Sequence, residues 1–179
     1  MVSLSLLNGP KINRYHWINK HVITARRKMR LFLDTEFTKL EPGAKLISIA
    51  LVDEDENFFY AELTDTYKLE DCSDFVKSFV LPFLKGGKYK MTEYDCRLAL
   101  CNWIEDRNVP CQIGTDAPSW DIPLLTPLLQ PIMPENLQDE IFIVRVPQDV
   151  EEALVLKFDY DIHNALDDAL VMKKGTLGY

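Results

Sequence analysis

No stretch of the sequence holds 18 or more consecutive apolar residues, so a membrane-spanning helix is not expected. The short VSLSLL near the start has neither the basic flank nor the length of a secretory signal. No C-x-x-C pair occurs either. Cys72, Cys96, Cys101 and Cys111 have no histidine at ligand spacing, which argues against a zinc site or a disulfide framework and leaves four reduced, buried thiols. Acids are missing before Asp34, where seven Lys and Arg stand, and this leaves 13 basic against 28 acidic residues in the remainder. So acidic a body is poorly suited to wrapping long duplex nucleic acid, although a small acidic cleft can hold divalent cations. There is no internal repeat and no low-complexity segment. These absences predict a soluble, cytoplasmic protein with no membrane partner.

What is present is enough for one core. The 179 residues are 47% hydrophobic and 11% aromatic, as a single globular domain requires. Residues 1–28 lack periodicity and read as a basic N-terminal extension, either a flexible arm or one that touches RNA; residues 29–179 carry the domain. Short apolar runs predict strands over Arg30–Thr35, Lys45–Val52 and Phe58–Leu63, with the acidic DEDEN, residues 53–57, as a solvated turn. Ser73 can cap a helix carrying Phe75, Val76, Phe79 and Val80. A longer helix is expected over Thr92–Asp106, with Tyr94, Leu98, Cys101 and Ile104 on its apolar face. A short strand then ends near Asp116, a helix begins at Pro118, a strand spans Glu140–Val146, and a last helix runs from Asn164 to just before Gly175. Strands followed by alternating helices and strands predict an α/β fold, a mixed β-sheet flanked by α-helices.

Three acidic stations stand out. In LDTEFT, Asp34 and Glu36 are two apart on a strand and project from one face, where they form a claw for a divalent cation. A strand-end salt bridge is the competing reading. In TDAPSWDIPLL, Asp121 lies in the first turn of a helix, where the dipole favours a carboxylate, and Asp116 is the rival acid. In HNALDDA, Asn164 and Asp167 have the spacing of a capping box, which leaves Asp168 free. His163 stands just ahead of that helix, and an imidazole, with an ordinary pKa of about 6.5, can take a proton near neutrality. Ala165 and Ala169 form a small-residue stripe that permits close packing. Carboxylates without a thiolate favour Mg²⁺ or Mn²⁺ over zinc.

These three motifs, with H-x-A-x-x-D intact as His163, Ala165 and Asp168, resemble those of the DEDDh group of 3'-5' exonucleases, and most of all the small bacterial and phage-type exoribonucleases. The resemblance covers Met29 to about Lys174 and implies a ribonuclease H-like fold. It further implies a metal-dependent exonuclease acting on single-stranded RNA 3' ends, with two Mg²⁺ or Mn²⁺ ions held by Asp34, Glu36, Asp121 and Asp168, His163 as general base, and a homodimer. The same chemistry on DNA, or a non-catalytic nucleic-acid-binding domain, are the alternatives. Phe37 stands where the group commonly has threonine, making Thr38 the candidate for the terminal-nucleotide contact, and Ala117 stands where it often has asparagine. Phe37 and Trp120 are candidates to stack on bases, with core packing as the competing role for both, and Leu40 is a candidate to wedge between bases, with an ordinary exposed loop leucine as its alternative.

Overall fold

The computed structural model describes residues 28–131 and 133–178; the expected basic arm, apart from Lys28, lies outside the described residues. Its framework is a six-stranded sheet in the order β4-β3-β2-β1-β5-β6, formed by β1 (Met29–Phe37), β2 (Leu46–Asp53), β3 (Phe58–Leu63), β4 (Lys90–Met91), β5 (Cys111–Thr115) and β6 (Phe142–Ile143). The first three strands are antiparallel neighbours, while β1/β5, β3/β4 and β5/β6 pair in parallel. Helices α1 (Asp74–Phe79), α2 (Glu93–Glu105), α3 (Pro118–Leu129), α4 (Gln148–Phe158) and α5 (Ala165–Leu177) flank it. This mixed α/β architecture is the expected one and is compatible with a ribonuclease H-like fold. Among the described residues no helix is long and apolar enough to cross a membrane.

Central β1 alternates in a way that builds two cores. Leu31 and Leu33 pack with Leu100 and Ile104 of α2 and Leu125 and Leu128 of α3, whereas Phe32 packs with Ala165, Ala169 and Met172 of α5 on the other face. Both alanines are fully buried, so the small stripe brings α5 close to the sheet as its spacing suggested. Burying one such leucine or phenylalanine stabilises the fold by about 1.5–3 kcal/mol.

Several local expectations need correction. On α2 the buried positions are Cys96, Leu100, Cys101 and Ile104, while Tyr94 is 67% exposed and Leu98 38% exposed, because the helix turns its thiols rather than its tyrosine toward the sheet. Of the expected strand Glu140–Val146 only Phe142–Ile143 pairs. The last helix continues through Gly175, where the Val146 side chain fills the place a Cβ would take; Gly114 is covered in the same way by the Phe142 ring. The acidic turn is not simply solvated. Asp53 is fully buried, accepts hydrogen bonds from the backbone N–H groups of Asp55 and Asn57, and pairs with Arg107 at 2.6 Å, while Glu56 holds Lys173 and Lys174. All four cysteines are buried thiols outside any disulfide among the described residues, and burial pushes Cys96 up to about 12 and Cys111 to about 11, which leaves both protonated near neutrality.

Candidate active site

Strand β1 persists through Phe37, so Asp34 and Glu36 share the face that packs against α5, and the register with β2 shifts between Glu36 and Phe37. Asn164 caps α5 by accepting from the Leu166 N–H at 3.2 Å, which presents the first turn, with Asp168, to that same face. Asp121 comes from the opposite side of the sheet. Pro118 opens α3 immediately beyond β5, and the Asp121 N–H donates to the Ala117 carbonyl at 3.0 Å, directing the carboxylate at the end of β1.

The result is two trios of possible ligands. Glu36, His163 and Asp168 each offer an atom within 4.8 Å of the others, and so do Asp34, Asp116 and Asp121. Both open into a cleft of about 920 Å³ that also reaches Phe37, Leu40, Phe75 and Arg145. The donors are carboxylate oxygens and one imidazole. No thiolate is among them, and such a set fits hard divalent cations of the Mg²⁺ or Mn²⁺ kind. Asp116, left as a rival from sequence, is an exposed member of the second trio.

Two threonines that sequence reasoning passed over fix Asp121, which is only 1% exposed. Thr35 donates its hydroxyl to one carboxylate oxygen at 2.6 Å and Thr115 donates to the other. The signal was present: Thr35 lies between Asp34 and Glu36, so alternation points it toward α3. Asp167 is not the capping-box partner of Asn164. It accepts from the Asp161 N–H at 3.1 Å and meets Lys85 at 3.3 Å.

His163 has a left-handed backbone, with φ of 66°, a conformation costing a non-glycine residue on the order of 1 kcal/mol. Its N–H donates to Asp168 at 3.1 Å, which fixes the residue against the acidic face. The substrate-contact candidates fare unevenly. Leu40, 70% exposed, and Phe37 line the cleft. Trp120 does not, and stacks instead on Phe37 with centroids 5.5 Å apart and planes at 16°, so one face of each ring is occupied. Thr38 is fully buried and its hydroxyl accepts from the Lys45 N–H at 3.0 Å, which withdraws it from the terminal-nucleotide role.

Crowding shows in the proton equilibria. Burial, then Asp168, Asp121, Glu36 and Asp116, hold the Asp34 carboxyl well above its ordinary range. Burial followed by Asp168 and Asp121 raises Glu36 to about 8. Asp168 is raised to about 7, mainly by burial against the opposing His163 hydrogen bond, and Asp121 to about 6, by burial against its threonine bonds. Each acid therefore binds its proton more tightly folded than unfolded, and between about pH 4 and pH 8 the folded chain carries more protons, so stability falls as pH rises. Thermal melts in EDTA are expected to drop across that window, and excess Mg²⁺ or Mn²⁺ to cancel the drop at pH 8 while changing little at pH 5. A cation effect independent of pH would contradict this electrostatic picture. Compared with models of known protein families and with curated proteins, the chain matches none.

Proposed function

We propose that the protein is a metal-dependent 3'-5' exonuclease of the DEDDh type that shortens single-stranded RNA. The observation that carries the reading is the gathering of Asp34, Glu36, Asp116, Asp121, His163 and Asp168, drawn from three distant chain segments, into two ligand trios at one cleft. Asp34, Glu36 and Asp168 would hold one ion, with Asp34, Asp121 and the adjacent Asp116 toward a second. Bound ions of this kind neutralise phosphate oxygens and acidify water, a contribution of several kcal/mol.

The chain's own groups have defined tasks. His163 accepts the proton of the attacking water; the new P–O bond forms as the bond to the 3' oxygen breaks, and that oxygen takes a proton from solvent water, releasing a nucleoside monophosphate and a fresh 3' hydroxyl. Thr35 and Thr115 hold Asp121 in one orientation. Exposed Arg145 on the cleft wall supplies positive charge for a phosphate, and Phe37 and Leu40 meet the terminal bases.

The test uses the purified chain with RNA and DNA oligonucleotides labelled at the 3' or the 5' end. With Mg²⁺ or Mn²⁺, 5'-labelled RNA is expected to shorten one nucleotide at a time and 3'-labelled RNA to lose its label at once, with both processes stopped by EDTA. Faster loss of DNA would move the assignment to a DNA exonuclease. Tight binding with no cleavage under any cation would leave a nucleic-acid-binding domain and sink the hydrolase.

A further inference from the structure

The sequence motifs leave unexplained what holds the His163 ring. Its backbone is tied to Asp168, and the imidazole, which offers a nitrogen within 4.8 Å of the Glu36 and Asp168 carboxylates, also meets the Phe75 ring edge to face, with centroids 5.0 Å apart and planes at 79°. We infer that Phe75 is a positioning residue that sets the orientation of the His163 imidazole, an inference that rests on the general-base role proposed above. Four observations converge on it.

Phe75 is 51% exposed although it is a phenylalanine on a short helix, so burial does not account for its ring. Core residues anchor the helix separately: Val76 and Val80 pack against Ile47 and Cys72. The helix is also tied to the catalytic strand. The Ser73 N–H donates to the Thr38 carbonyl at 2.9 Å, and the Ser73 hydroxyl caps α1 by accepting from the Val76 N–H at 3.2 Å. Thr38 thus connects the end of β1, two residues past Glu36, to the helix that carries Phe75. Phe79, one turn further on, backs the Phe75 ring at 5.2 Å. Glu36 and the imidazole are in this way placed relative to each other from both sides, by Asp168 through the His163 backbone and by Phe75 through its ring. Small displacements of a general base are costly, since about 1 Å can lower a rate by about 10²-fold.

The experiment compares wild type with Phe75→Ala, Phe75→Leu and Phe75→Trp, measuring kcat and KM on 5'-labelled RNA, Mn²⁺ affinity by calorimetry, and the imidazole resonances by NMR. Of the three histidines, the His163 ring is identified by its absence from the His163→Asn spectrum. Phe75→Ala and Phe75→Leu are expected to lower kcat by about 10- to 50-fold. KM and Mn²⁺ affinity stay near wild type, the His163 ring signals shift, and Phe75→Trp recovers most of the rate. A wild-type kcat in Phe75→Ala, a change confined to KM, or unmoved His163 signals would each overturn the inference. Should wild type hydrolyse no oligonucleotide, the exonuclease reading fails, and the ring signals still decide whether Phe75 orients His163.

Discussion

Replacing Asp34 by Asn is expected to lower hydrolysis by on the order of 10³-fold, equivalent to about 4 kcal/mol of transition-state stabilisation, while making the cation-free protein more stable. The two effects share one cause. Burial disfavours the charge of Asp34 most, and Asp168, Asp121, Glu36 and Asp116 around it add to that. Asn keeps the shape and removes the charge. At pH 8 in EDTA the melting temperature should rise by roughly 2–4 °C for each kcal/mol of repulsion relieved in a chain of this size. Added Mn²⁺, which stabilises wild type by mass action, should do little for the variant. Loss of activity together with loss of stability would mean that Asp34 supports the fold and not a cation site.

The second large effect belongs to His163. His163→Asn is expected to reduce turnover by about 10²- to 10⁴-fold, the usual contribution of a general base, while Mn²⁺ affinity in calorimetry stays within a few-fold of wild type. Asparagine is chosen because it tolerates the left-handed backbone found here at φ of 66° and keeps the N–H that bonds Asp168. A variant that retains its turnover would remove the imidazole from the reaction. One that loses both turnover and cations would make it a ligand of the Glu36 and Asp168 trio, whose atoms lie within the same 4.8 Å.

How far the sequence led can be judged from particular residues. Period-2 alternation placed Asp34 and Glu36 on one face and capping chemistry placed the start of α5 at Asn164, because both are local rules. The partners of those residues are not local. By position Thr38 suits a substrate contact, but its hydroxyl accepts from the Lys45 N–H across a loop. Trp120 suits a base platform by type, but it stacks on Phe37 from another element. Asp167 had capping-box spacing, yet its neighbours are Lys85 and Asp161, one of them 82 residues away in the chain. On α2 the expected Cys101 and Ile104 are buried, whereas Tyr94 and Leu98 are turned outward and Cys96 and Leu100 take their places, the thiols packing as small apolar groups. The Thr35 and Thr115 clamps needed the position of α3, which depends on how β5 enters the sheet.

Strand β1 separates two compartments. Its even-numbered positions, Phe32, Asp34 and Glu36, look toward α5, and its odd-numbered ones, Leu31, Leu33 and Thr35, toward α2 and α3. Adding or deleting a single residue inside this stretch would invert that parity, sending the acids into the leucine layer and Thr35 away from Asp121. Length within Leu31–Glu36 is therefore fixed more strictly than composition.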